Sequence, residues 1–130
     1  MRYKSEKMAE TEIREGQSIE LLKALHILTR DGKMNQDSRR KLKQVYHLFQ
    51  FIEPLLEQLD AEARAFTLVD HGAGKSYLGF LLYDLFLKSR DNGAVIHSIE
   101  TRAELVDRAR ELAAQLGFAR MQFHHLTVAE

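Results

Sequence analysis

Three short apolar runs, separated by stretches with helical periodicity, organise the second half of the chain. Phe66, Leu68 and Val69 form the first and Ala94-Val95-Ile96-His97-Ser98-Ile99 the second. Both read as strands buried on both faces, the pattern of a parallel sheet. Residues 121–126 predict a third strand. Between the first two, Tyr77 to Leu87 is the longest strongly apolar run, interrupted by Asp84, and predicts a core helix packed on the sheet. Between the second and third, Leu105, Val106, Ala109, Leu112, Ala113 and Leu116 fall on one helical face, and Gly117 supplies a left-handed stop. Thr101-Arg102-Ala103-Glu104 matches a capping box, with Thr101 as N-cap and Glu104 three residues on.

The first sixty residues follow a different pattern. Met1 to Gln17 are polar and predict a frayed helix or disordered arm. Ser18 caps a helix carrying Ile19, Leu22, Leu25, His26 and Leu28 at helical spacing, ended by Asp31-Gly32. A longer helix, from about Asp37 to Leu59, places Leu42, Val45, Tyr46, Phe49, Ile52, Leu56 and Leu59 on one face. Pro54 lacks an N–H and clashes with the preceding turn, so a kink or break is expected near Gln50 to Glu53. The chain therefore divides into an N-terminal polar arm and helical layer, 1–60, and an α/β part, 61–130. It has no internal repeat.

The junction of first strand and following helix, FTLVDHGAGKSYLG from Phe66 to Gly79, carries the chemistry. Asp70 closes the strand, Gly72 and Gly74 remove the Cβ atoms that would hold a ligand off the backbone, and a helix starting near Lys75 aims its free N–H groups at the same place. That combination suits a polar, nucleotide-sized ligand. A dinucleotide fingerprint would need a third glycine where Tyr77 stands. A phosphate-binding P-loop would need glycine at Val69, although Gly74-Lys75-Ser76 keeps that reading open, with Lys75 and Ser76 as ligands beside magnesium.

What remains is Asp70-His71-Gly72-Ala73-Gly74, and with it residues 40–130 resemble the class I S-adenosylmethionine-dependent methyltransferases, whose first motif is a hydrophobic strand followed by D/E-x-G-x-G. The run VDHGAGKSYLGFLLYDLF is similar to a subset often associated with RNA. The resemblance implies a Rossmann-like parallel sheet, here partial, with three strands in the order 3-2-1 behind the N-terminal helices. It implies S-adenosylmethionine or S-adenosylhomocysteine as ligand, with Asp70 facing the amino group, and Gly72 and Gly74 the backbone platform. Glu100, thirty positions after Asp70 at the end of the second strand, takes the two ribose hydroxyls, for which an ionised carboxylate offers two acceptor oxygens. Many members carry a third glycine where this chain has Ser76, whose hydroxyl is expected to cap the helix instead. Lys43, Gln44 or His47 would face the methionine carboxylate, although a surface helix is the favoured reading of that segment.

The family's sheet has seven strands, so the fourth strand and its substrate loop are expected beyond Glu130, in a longer protein, the alternative being a chain that keeps the cofactor half and lacks the catalytic one. The first strand is then an exposed edge, apolar on both faces, through which self-association is expected. Methyl acceptor and methylated atom are not legible, and the role of His71 stays open.

Composition narrows partners. Nineteen basic and nineteen acidic side chains cancel, so no global field favours nucleic acid or membrane. Arg39, Arg40, Lys41 and Lys43 form the one basic cluster, read as a solvated helix face. With no cysteine, no signal peptide and no long apolar stretch, a cytoplasmic protein without membrane contact is expected. His124 and His125 are adjacent on a strand and point to opposite faces, so no metal site with His97 is expected. A third reading makes the long helix a non-catalytic interaction module with the α/β part as scaffold.

Overall fold

The computed structural model describes residues 12–62, 65–90 and 93–126. The polar arm expected over Met1 to Gln17 lies largely outside those residues. The elements are α1 (Ile19–Ala24), α2 (Gln36–Ala61), β1 (Thr67–His71), α3 (Tyr77–Leu85), a 3₁₀ turn (Leu87–Ser89), β2 (Val95–Glu100), α4 (Ala103–Leu116) and β3 (Met121–His125). Two compact units are formed, one up to Phe49 and one from Gln50 onward, so the division falls inside α2. Among the described residues no helix is long and apolar enough to cross a membrane.

In the first unit Ser18 caps α1 as expected, its Oγ accepting the Leu21 N–H at 3.1 Å. The helix stops at Ala24, well short of Asp31-Gly32. His26 adopts the left-handed conformation (φ 60), with its N–H donating to the Lys23 carbonyl and the Ile27 N–H reaching back to Leu22. This is a Schellman ending built on histidine instead of glycine, so glycine punctuation did not reveal it. At the start of α2, Asn35 Oδ1 accepts the Ser38 N–H at 2.8 Å. The basic cluster is largely met by acids: Arg39 pairs with Glu12 at 3.3 Å, while Arg40 and Lys41 both pair with Asp37 and hold its carboxyl below the usual range.

The α2 periodicity is the expected one. Leu42, Phe49 and Leu56 are buried, and Val45, Tyr46, Ile52 and Leu59 are half-buried. Of the kink or break expected near Gln50 to Glu53, a break does not occur, because α2 runs through Pro54. Proline removes one intrahelical hydrogen bond, and 26 residues of continuous helix carry that loss.

The second unit is a three-stranded, all-parallel sheet in the order β1-β2-β3, the α/β arrangement and order expected. Register sets Leu68 against Ile96, Asp70 against Ser98, and Ser98 against Phe123. Alternation then puts Asp70, Ser98 and Glu100 on one face. On β2 that face is buried, whereas Val95, His97 and Ile99 on the other are half-buried. Helix α3 closes on the buried face at Gly79, where an added Cβ would meet Met121 Cε at 3.3 Å, Ser98 Oγ at 3.4 Å and Ile96 Cγ2 at 3.5 Å. Phe80 packs with Phe118 and Phe123 at ring separations of 6.3 and 5.9 Å, and Tyr83 stacks on Phe118 at 4.5 Å. Asp84, which interrupts the apolar run, is buried and paired with Lys88 one turn on. Arg120 ties the connection into β2, donating to the carbonyls of Leu87, Arg90 and Ala94 at 2.6, 2.7 and 3.2 Å.

Two helix starts differ from expectation. The capping box does not form: α4 begins at Ala103 with Arg102 as N-cap and no side-chain cap, and the Thr101 hydroxyl turns toward Glu100 Oε2 at 3.4 Å. Helix α3 begins at Tyr77 and not near Lys75. Ser76 is its N-cap in the left-handed region (φ 65, ψ 28) and makes no side-chain cap, because capping needs an extended backbone to swing the hydroxyl over the first turn. The α4 stop is as expected, with Gly117 left-handed (φ 73).

Candidate functional site

The carboxyl ends of β1 and β2 meet at the glycine turn. Gly72 and Gly74 both have positive φ (64 and 61), a conformation that side chains adopt only at a cost, and no atom lies within 4 Å of a Cβ built on Gly72. Backbone bonds tie the turn to its surroundings: the Ala73 N–H donates to the Ile99 carbonyl at 3.0 Å and the Ser76 N–H to the Ala73 carbonyl at 2.9 Å. A side chain from β2 completes it, since Glu100 Oε1 accepts the Gly74 N–H at 2.8 Å.

Glu100 is buried, at 5% exposure, yet firmly ionised. The Arg102 side chain, the Arg102 N–H and the Gly74 N–H together push its carboxyl down to about 2. Its Oε2 accepts the Arg102 N–H at 2.9 Å and Arg102 Nε at 2.8 Å. Arg102 Nη2 stands 3.5 Å from Oε1 and 3.8 Å from the position of a Cβ on Gly74. A carboxylate has about four lone-pair sites: the two Arg102 bonds fill Oε2, with the Thr101 hydroxyl beyond them at 3.4 Å, and the second site on Oε1 leaves room for one further donor while Arg102 stays in place.

Asp70 is the opposite case. It sits half-exposed near the end of β1, and burial pushes its carboxyl up, with His71 opposing weakly. Among the described residues it has no hydrogen-bond or ion-pair partner. Two acids of one sheet face thus differ: one saturated by donors and strongly acidic, the other lacking donors and held toward the neutral form.

All four residues singled out from the sequence, Asp70, Gly72, Gly74 and Glu100, lie in or beside this turn. Lys75 is exposed at its rim. Val69, where a P-loop requires glycine, is inside β1 and paired with His97, so the turn is confined to the few residues before α3. Lys43, Gln44 and His47 are exposed on α2. His97 Nδ1 and His124 Nε2 are 2.8 Å apart in a stacked pair, while His125 Nε2 donates to the Thr101 carbonyl at 2.9 Å. Among the described residues no group of three metal-ligating side chains assembles.

Two residues of this region were not legible. Arg102 appeared only as filler inside a capping box, and an acid two residues before an arginine is too common to signal anything. Gly79 looked like an ordinary helix residue, and nothing in the sequence shows which glycine a sheet will press against. A groove of about 510 Å³ lined by Arg110, Ala113, Phe118, Met121 and Phe123, among others, runs along β3. It holds none of the predicted site residues and lies at the sheet edge away from the turn.

A family model described as a methyltransferase domain matches residues 40–130, which covers all of β1 to β3 and the glycine turn. No curated protein matches the chain.

Proposed function

Because the chain belongs to the methyltransferase-domain family, we propose that the turn after β1 and the end of β2 hold S-adenosylmethionine as methyl donor. The observation that carries this is the pair of carboxylates at adjacent strand ends around one glycine turn, one of which has no donor among the described residues. An ammonium group beside Asp70 would supply that donor and relieve the cost of keeping the carboxylate ionised. Gly72 and Gly74 leave backbone open to close approach, and Glu100, ionised and turned to the same spot, accepts hydroxyls of the ribose. When bound, the sulfonium supplies an electrophilic methyl group. The chain's own contribution is to hold the donor at a fixed distance and angle, which supplies rate through orientation and needs no general base. RNA is the acceptor class to test first, on the resemblance alone.

Titration calorimetry of the full chain with S-adenosylhomocysteine, S-adenosylmethionine and ATP with magnesium tests this reading. The adenosyl ligands are expected to bind with Kd on the order of 10–100 μM, and Glu100→Gln to weaken them roughly ten- to a hundredfold. Tight ATP binding that Lys75→Ala abolishes, with no adenosyl binding, would instead establish the phosphate-binding alternative.

We also read β1 as a self-association surface. It pairs only with β2 among the described strands, and Val69 is 51% exposed, so an unpaired backbone edge with an apolar side chain faces outward. Light scattering at micromolar concentration is expected to give a dimer or larger species. A clean 15.0 kDa monomer with slowly exchanging β1 amides would contradict it.

A further inference from the structure

The donors on Glu100 are not equivalent. The Gly74 and Arg102 N–H bonds belong to the backbone and shape the turn and the start of α4. The Arg102 guanidinium is a side chain, 59% exposed, on a residue whose backbone is fixed independently. It takes the second site on Oε2 at 2.8 Å, approaches Oε1 at 3.5 Å and leans over Gly74. A vicinal diol needs two acceptor sites on this carboxylate, one more than the arginine leaves.

We propose that Arg102 is a latch on the ribose subsite: its guanidinium occupies the diol-accepting edge of Glu100 in the free chain and swings off when an adenosyl ligand arrives. The inference rests on the cofactor reading above, and it concerns which group gives way. The latch adds a charged side-chain donor to the two backbone N–H groups on Glu100 between ligands, which further lowers the cost of keeping the buried acid ionised. It also lowers apparent affinity, because every ligand must first break the ion pair, as a protein whose binding-competent form is only partly populated must.

The magnitude follows from exposure. An arginine more than half exposed gains little from its pair, so its removal is expected to tighten binding by only about two- to fivefold. Calorimetry of Arg102→Ala with S-adenosylhomocysteine should show that gain, and Arg102→Lys, which keeps charge but loses the planar Nε–H, should fall between. A merely structural arginine would not improve affinity when removed. The second readout is the Arg102 Nε–H resonance in nitrogen-15 spectra of the parent. It is expected to be displaced and slow to exchange in the free chain, to resemble free arginine in Glu100→Gln, and to move toward free arginine as S-adenosylhomocysteine is added.

The outcomes separate. Weaker binding by Arg102→Ala would mean that Arg102 holds the ligand, and would overturn the latch while leaving the cofactor reading intact. A free-arginine signal in the unliganded parent would overturn the latch without any ligand. A displaced signal that S-adenosylhomocysteine never moves, with no heat of binding in any variant, would bring down the cofactor reading and the ligand-driven release with it.

Discussion

Gly79 gives the most direct test of how α3 is seated. A Cβ there would come within 3.3 Å of Met121 Cε, 3.4 Å of Ser98 Oγ and 3.5 Å of Ile96 Cγ2, at or inside the usual optimum of about 3.5–4.0 Å. For Gly79→Ala, the Met121 methyl ends a flexible chain and the Ser98 hydroxyl rotates, so both can yield by a few tenths of an ångström. The helix then gains about 1 kcal/mol of propensity, and the variant should unfold near the parent. Gly79→Val adds two methyl groups in space already filled by β2 and β3, beside the branched and less yielding Ile96. Overpacking of that kind costs about 1–3 kcal/mol, which lowers Tm by roughly 3–12 °C in a domain of this size. Since α3 begins directly after the turn, tilting it also moves the backbone around Gly74, so adenosyl affinity should fall with stability. Thermal and denaturant unfolding of the parent and both variants measures this. A valine variant as stable as the alanine one would show that α3 does not press on the sheet at this position.

Asp70→Asn should stabilise the chain at neutral pH while weakening S-adenosylhomocysteine about tenfold. Burial raises the folded pKa of Asp70, so its contribution is complete below the ordinary value, is lost as pH rises through the folded one, and leaves the ionised acid a liability at pH 7; a variant less stable at neutral pH and unchanged in affinity would refute this. Glu100 has the reverse sign. Its carboxyl is pushed down to about 2 from 4.5, so its contribution is present above about 4.5 and disappears as pH falls toward about 2. The gap in unfolding midpoint between parent and Glu100→Gln should therefore be clear near about pH 6 and shrink near about pH 3, and a gap independent of pH would mean that the charge does not hold the turn.

Legibility in the sequence followed the range of the interaction concerned. The strands were found to within a residue from their apolar runs, but the burial on both faces expected of the first does not hold, since β1 is half-buried or exposed along its length. The apolar face of α2 was legible as well, since Leu42, Phe49 and Leu56 recur every seven residues and all are buried. Misjudged features were those in which a side chain had a choice of partner. Thr101 matched a capping pattern, but its hydroxyl lies beside a carboxylate that the sheet brings close. His26 ended a helix where no glycine announced it, and of the kink or break expected at Pro54 the break is absent. Ser76 was assigned a hydroxyl cap, yet its backbone is left-handed, at the place where many members of the resembled family have glycine. Serine takes that conformation at a cost of about 1–2 kcal/mol, so the cap was inferred from residue type where backbone geometry decided.

The glycine turn shows why a local motif, correctly found, still describes only part of a site. Read along the chain, Asp70 to Gly74 is self-contained, with glycines for conformational freedom and an acid for a ligand. In space the turn is held from β2, by the Ile99 carbonyl on Ala73 and by Glu100 Oε1 on Gly74. The same carboxylate proposed to accept the ribose is therefore also a structural part of the turn, and each of its oxygens holds a backbone donor. Oε1 holds the Gly74 N–H and Oε2 the Arg102 N–H, and on the proposed latch only the Arg102 guanidinium is exchanged for ligand donors. The Arg102 guanidinium contributes most to the low pKa of Glu100 and the Arg102 and Gly74 N–H groups lower it further, so part of that stabilisation remains when the guanidinium leaves. The variants separate accordingly: loss of the Arg102 side chain frees one acceptor site on Oε2 and leaves both backbone bonds standing, but loss of the Glu100 charge weakens both duties at once. Neither residue can be understood from its neighbours in the sequence, since the turn's shape is set by a side chain 26 positions downstream of Gly74.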